Sequence, residues 1–400
     1  MATAGGANIA VDGLVFGYDT GYPLVSGSSD TYKFNKGEPT ENIIASTNLI
    51  NVVAGTFTTD STVDGVRILE NDQVNNSHVM WNSATGFIIT CSAGAYITVS
   101  AEYKTDCTIR MRFRDNPYDT QFDIDGGNIN TISETSVDIN TIGEWKRHSL
   151  TAQTSTANPD LWWYLADYRP NNEFGRVEVR NWQIEVKPHA TPFTTGTRSV
   201  SGSLIDLTRT TDIDLSNVSF DSNAQMTFDG TDDQIIISDI GANLNNFGVT
   251  FEIVWKQNNI HTSSTFGEII SPIQLGIRDL GVGPTMYFQL RTSVVQLRWQ
   301  RAANDATISP STPQESGVYG VYVGILTPTG VSLYKNGILI GTTSHSKTFL
   351  SWYDNTIKIG NNAYNTYFDG DIPIAKVYNR ALTAQEILQN YNAVKERFSL

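Results

Sequence analysis

Five aspartates fall in two short turns, with a spacing that suits coordination by oxygen alone. Asp229, Asp232 and Asp233 crowd the start of a strand in MTFDGTDDQIII, and Asp369 and Asp371 bracket Gly370 in FDGDIPI. Converging carboxylate oxygens are the ligands that Ca²⁺ takes, so Ca²⁺ is the one cofactor these residues suggest. The Asp-Gly pairs read equally well as turn chemistry, in which the aspartate serves only its own backbone. A second set of residues could stack on sugars, because Trp and Tyr offer large ring faces to the C–H surface of a pyranose at low entropic cost. These are Trp162, Trp163, Tyr164 and Tyr168 in the middle of the chain and Trp352, Tyr353, Tyr364 and Tyr367 toward its end. Consecutive Trp162 and Trp163 leave opposite faces of a strand, so one is exposed unless loops or a neighbouring subunit cover both.

Reactive chemistry has less support. The histidines, His78, His148, His189, His261 and His345, are scattered singly, and no Ser or Cys nucleophile comes with a base. Glu178 and Glu185 would lie on opposite faces of a regular strand, whereas the two acids of a glycosidase must face one cleft. Cys91 and Cys107 make neither a CxxC nor a zinc pattern and read as buried small residues on neighbouring strands. The chain is therefore read as a non-enzyme with no catalytic residue.

Strands must position these groups. The chain is rich in Thr, Asn, Gly, Tyr, Phe, Val and Ile, and its apolar runs are short and divided by turn residues. Its 400 residues suit two domains. A formal net charge of -14, with no Lys/Arg cluster, argues against a nucleic-acid partner. No apolar stretch is long enough to cross a membrane and no leader is evident, so a protein made and used soluble is expected. RVEVRNWQIEV changes parity midway, which predicts a bulge or a switch of faces. YKNGIL carries an Asn-Gly hairpin turn. LTAQEILQNYNAVKERF predicts one helix, with Thr383 as N-cap, Glu386 three residues on and an apolar stripe of Ile387, Leu388 and Tyr391. Trp145 and Trp182 alternate with apolar neighbours and read as core.

Several phrases taken together resemble the laminin-G-like, concanavalin-type jelly rolls of phage structural proteins: MTFDGTDDQIII, GVTFEIVWK, VSLYKNGILIGT, IKIGNN and FDGDIPIAKVYNRALTAQEILQNYN. GEWKRHSLTAQ and VRNWQIEVKPHATPFTTGTRS resemble jelly-roll carbohydrate-binding modules. ATAGGANIAVDGLVFGYDTGYPL with FNKGEPTENII is similar to N-termini of marine phage virion proteins. The expected fold is all-β, two antiparallel lectin-like sandwiches with a short C-terminal helix. The expected boundaries are an arm at 1–9, a discontinuous jelly roll of 10–24 plus 200–400, an inserted module at 43–192, and connectors at 25–42 and 193–199. The resemblance implies a structural protein on the virion surface, as capsid decoration, fibre or tail adhesin. Its implied partners are other capsid or tail proteins, copies of itself as a homotrimer, and host surface glycans. It also implies that such domains often bind Ca²⁺. The alternative from another class is a tail polysaccharide depolymerase.

Overall fold

Short alternating runs become antiparallel strands throughout the computed structural model, and the one α-helix among the described residues is Ala384–Val394. The structure describes all residues except 1–8, 21–37, 44–50, 55–56, 58, 72–77, 82–88, 116–121, 124–133, 155–156, 160, 169–172, 192, 195–196, 202, 205, 209, 222–224, 239, 241–243, 245–247, 266–267, 269, 277–284, 301–305, 346–355 and 363–364. The chain divides into two compact units. One comprises Met1–Glu38, Val200–Asp221 and Gln225–Leu400, the other Pro39–Ser199 and Ser222–Ala224. The fold class is all-β with one C-terminal helix.

In the first unit, strands run in the order Ser219–Phe220, Met226–Asp229, Asp369–Tyr378, Val249–Gln257, Tyr319–Thr327, Gly330–Lys335 and Ile338–Ser344, and Leu14–Asp19 also pairs with Asp369–Tyr378. The facing sheet has the order Ile235–Ile237, Ile357–Ile359, Ile273–Leu275, Thr285–Arg291, Val294–Gln300 and Ala306–Pro313. Alternate side chains of both sheets meet in a core that includes Phe16, Phe228, Phe251, Trp255, Phe288, Leu297 and Trp299. Trp255 stacks on Tyr322 with ring centroids 3.7 Å apart, and Phe251 meets Phe288 edge-on at 5.0 Å. Such pairs add about 0.5–1.5 kcal/mol each beyond the area they bury. The N-terminal strand is tied to the segment past residue 200 through buried Asp206, which accepts the Gly17 amide at 3.0 Å. At the hairpin between Gly330–Lys335 and Ile338–Ser344, Asn336 and Gly337 both have positive φ, 51° and 77°, as a type I′ turn requires.

The helix covers the other face of the larger sheet. Ile387 joins Val323, Ile325 and Tyr378, while Val394 joins Val254, Val321 and Ile374. The central strands are thereby buried on both faces. Thr383 accepts the Glu386 amide and Glu386 reaches back to the Thr383 amide, so the expected capping box forms. The stripe differs from the expected one: Ile387, Asn390 and Val394 are buried, and Leu388 is 48% exposed. Leu388 lies one position off the three-and-four spacing that faces the sheet. Asn390 takes the centre because the sheet presents it with charge. Lys376 Nζ lies 2.7 Å from Glu252 Oε1, both side chains almost fully buried. Asn390 donates to Glu252 Oε2 at 2.6 Å and accepts the Ala10 amide at 2.7 Å.

The second unit is also a sandwich. One sheet has the order Glu134–Ile139, Ile109–Asp115, Leu161–Asp167, His78–Trp81, Asn51–Ala54, and the other Thr59–Val63, Val66–Asn71, Gly175–Glu185, Tyr96–Thr105, Lys146–Thr154, Phe122–Asp123. The parity change in RVEVRNWQIEV is a bulge: the register shifts between Arg180 and Gln183, and Asn181 has φ 52°. Val177 and Val179 point to the core before it, Trp182 and Ile184 after it. Gln183 and Glu185 therefore turn away from the core, yet both are buried beside the small ribbon of Thr40–Glu41 and Thr197–Arg198. Thr40 donates to Glu185 Oε1 at 2.8 Å and the Thr191 amide to Oε2 at 3.0 Å. Trp182 is core, as read from the sequence. Trp145 is not: it is half-buried, with the Arg180 guanidinium 4.0 Å above its ring. Neither cysteine lies in a strand; Cys91 is half-buried, and burial pushes the thiol of Cys107 up to about 12.

Candidate functional site

The two Asp-Gly turns, far apart in sequence, meet in the first unit. Phe228 pairs with Gly370 and Asp229 with Asp369 where the two strands overlap. Gly370 is needed there, since its φ is 147° and a Cβ would lie 2.1 Å from the carbonyl oxygen of Lys256. That close approach brings the end of Val249–Gln257 against Asp369. The Asn258 amide donates to the Asp369 carbonyl at 3.1 Å. The side-chain amides of Asn258 and Asn259 donate to Oδ1 and Oδ2 of Asp369 at 2.6 and 2.8 Å. Buried Gln314 holds the following segment, accepting the His261 amide at 2.8 Å and donating to the His261 carbonyl at 3.0 Å. Gln257 donates to Gln314 Oε1 at 3.0 Å and to the Asn259 carbonyl at 3.1 Å.

These segments enclose a cleft of about 250 Å³. Asp229 and Asp369 supply carboxylates and Tyr367 a half-buried ring; Ile260, Ile270, Leu290 and Phe368 give apolar wall. Gln257, only 2% exposed, also lines it, and its Oε1 has no hydrogen-bond partner among the described residues. The cleft thus combines an aromatic face, apolar wall and a few fixed polar groups, the mixture that holds small hydroxylated ligands. A larger cleft of about 400 Å³ in the second unit is lined by Thr40, Glu41, Ile43, Thr90, Val186 and Lys187. Its described lining residues include no aromatic and none of the candidate site residues named from the sequence.

The five aspartates do not form one calcium cage. Oxygens of Asp229, Asp232 and Asp233 lie within 4.8 Å of one another, but they serve different partners. Buried Asp233 accepts the Ser219 hydroxyl at 3.1 Å and the Asp229 amide at 2.7 Å, one on each oxygen. Burial pushes its carboxyl above the ordinary range, against the pull of those hydrogen bonds. Asp229 Oδ1 accepts the Thr231 amide at 2.7 Å, which is the turn chemistry. Asp371 belongs to a separate ion pair: Lys256 Nζ lies 2.6 Å from its Oδ2, and Tyr319 donates to the same oxygen. A cation needing about six to eight oxygens finds no such set in these residues alone.

The aromatic expectations divide sharply. Tyr367 lines the cleft, whereas Trp163, Tyr164 and Tyr168 are at most 4% exposed and are corrected to packing residues. From Trp163 to Ala166 the strand is buried on both faces, so opposite orientation of neighbours exposes neither Trp163 nor Tyr164. A ring without a solvent-facing surface cannot stack on a sugar. The backbone of Trp162 lies in that strand, but its side chain, and all of Trp352, Tyr353 and Tyr364, lie outside the described residues. Glu178 is engaged by Lys104 and Arg176 at 3.4 and 3.0 Å, while Glu185 is sealed under Thr40 and Thr191. Sequence reading missed Gln257, Asn259 and His261. Gln257 ends its strand and the other two follow it, with no motif of their own; the only signal was the break from an apolar run into QNNIH.

Residues 229–388 match the family model described as the Concanavalin A-like lectin/glucanases superfamily. No curated protein matches the chain. Among solved structures, the chain is similar to the botulinum neurotoxin serotype D binding domain, at 14% identity and a TM-score of 0.39, with 48% of each chain covered. It is also similar to a Ruminococcus gnavus IT-sialidase CBM40 bound to alpha2,3 sialyllactose, at 15% identity and a TM-score of 0.30, with 36% of this chain and 81% of that one covered. The chain spans about half the length of the toxin domains it matches. From Asp229 to the helix, then, both turns that frame the cleft lie within a stretch similar to concanavalin-type lectins and glucanases.

Proposed function

We propose that this chain is a non-enzymatic, glycan-binding structural protein on the surface of a tailed-phage virion, with the cleft at Asp229, Tyr367 and Asp369 as its sugar site. The observation that carries the glycan reading is the convergence of an aromatic ring, two carboxylates and an unpartnered buried amide oxygen in one pocket of the lectin-like unit. Carboxylates accept paired sugar hydroxyls, and a half-exposed tyrosine offers its face to ring C–H groups. The wall is held by Gln314 and the Asn258–Asp369 bonds, so little order has to be imposed on binding.

The virion assignment rests on the resemblance of the N-terminal phrases to phage structural proteins. In this reading the chain contacts capsid or tail proteins and assembles as a homotrimer. Two measurements test the proposal. Binding of the full chain to a glycan array is expected and should be weakened by Tyr367→Ala; no binding to any glycan would remove the sugar role. Mass spectrometry of purified virions should find the chain as a stoichiometric component; its absence would remove the virion role and leave the glycan role standing.

A further inference from the structure

The lining of the cleft is unbalanced in charge and in hydrogen-bonding capacity. Two carboxylates face it, and neither lysine nor arginine is among its described lining residues. The cation beside it, Lys256, precedes lining residue Gln257 in the strand, but its ammonium lies 2.6 Å from Asp371 Oδ2 and 5.0 Å from the Tyr319 ring centroid. The unused capacity of the lining includes acceptors on three side chains, beside the His261 ring, whose Nε2 also has no hydrogen-bond partner among the described residues. Asp229 accepts backbone amides through Oδ1 and, among the described residues, has no such bond on Oδ2. Asp369 receives one amide on each oxygen, and a carboxylate can accept about four hydrogen bonds. Gln257 directs both of its amide hydrogen bonds back to the protein and leaves Oε1, a buried acceptor, without a partner among the described residues. A buried acceptor left unmatched costs free energy that a donor on a ligand would recover.

We infer that this cleft selects neutral glycans, whose hydroxyls donate to Asp229, Asp369 and Gln257, and rejects glycans that carry a carboxylate or sulfate at the bound residue. The inference rests on the sugar-site reading above and adds the charge class of the ligand. An acidic sugar brought against two carboxylates, with no lysine or arginine among the described lining residues, meets like-charge repulsion in a partly desolvated pocket, and the chain's net charge of -14 adds to it at a distance. Contact is direct in this account, with no metal bridging protein and sugar.

The test uses the full chain on an array in which neutral oligosaccharides are each matched with a sialylated or uronic-acid counterpart, read in EDTA at low and at moderate salt. Binding is expected to the neutral member of a pair, with the acidic member weaker by about tenfold or more, and the gap should narrow as salt screens the charges. Asp229→Asn, which keeps the turn acceptor and removes the charge, should narrow the gap at low salt. Equal or tighter binding of acidic members overturns the inference and leaves the sugar site in place. Neutral binding that appears only when calcium replaces EDTA overturns the direct-contact account in the same way. Failure to bind every glycan overturns the sugar-site reading and this inference with it.

Discussion

Glu252 and Asp369 sit on neighbouring strands of one sheet and do opposite jobs. Glu252 is fully buried in the middle of its strand, with one oxygen on Lys376 and the other on Asn390. Asp369 stands at the start of its strand, half-exposed, holding two asparagine amides and facing a cleft with capacity to spare. The difference follows from what covers each position. The helix seals the centre of the sheet, so a charge there must be neutralised and fully bonded to be tolerated at all. The strand ends open onto solvent, where turn geometry holds a carboxylate at little cost. Position in the sheet thus decides whether an acidic residue serves the fold or is available to a ligand.

The comparison breaks first at Lys376. Lys376→Ala would strand Glu252 without its partner and is expected to destabilise the first unit by about 3–5 kcal/mol, read as a lowered denaturant midpoint. Replacing both Glu252 and Lys376 by Met should recover most of that loss, because no charge is then left buried. A double variant as unstable as Lys376→Ala would show that packing, and not charge, sets the cost. Next comes Asn390→Leu, which removes the donor to Glu252 and Tyr378 and the acceptor for Ala10. The expected loss is about 1–3 kcal/mol, the cost of leaving buried polar groups unmatched.

A third carboxylate lies between these extremes. Arg380 first, and then the Thr383 amide, hold the carboxyl of Glu386 down from 4.5 to about 2. A depressed carboxyl stabilises the fold above its unfolded value, and that contribution fades as pH falls from about 4.5 toward 2. Glu386→Gln should therefore cost about 1 kcal/mol at neutral pH, after allowance for its partial exposure, and close to nothing near pH 2. Denaturant titrations at both pH values check the sign; a constant difference would show that the charge does not matter.

What was legible in the sequence follows the same division. Local chemistry read well: the Asn336–Gly337 turn, the Thr383–Glu386 box and the parity change at Asn181 each depend on neighbours a few residues apart. Asp229, Asp369 and Tyr367 were also visible, though as members of two different sets, because only the pairing of Asp229 with Asp369 brings them to one cleft. The errors came from coverage. Nothing in LWWYLAD says that the strand is buried on both faces from Trp163 to Ala166, and nothing in ILQNYNAV says that Asn390 faces a buried glutamate. Gln257 acquires meaning only because Gln314 and the Asn259 carbonyl take its two amide bonds.

Asp229→Asn is the smallest change and the sharpest one. Asparagine retains an oxygen that accepts the Thr231 amide, so the turn should survive with stability altered by no more than about 0.5 kcal/mol. If Asp229 is a carboxylate available to a ligand, glycan recognition should nonetheless change, while the Lys376→Ala variant, assayed where it remains folded, should keep the wild-type glycan preference. A loss of stability for Asp229→Asn comparable with that of Asn390→Leu would place Asp229 with the structural carboxylates instead. The contrast between the sealed middle of the sheet and its open end would then no longer separate fold from function, since a residue on the open side would be holding the sandwich together as Glu252 does beneath the helix.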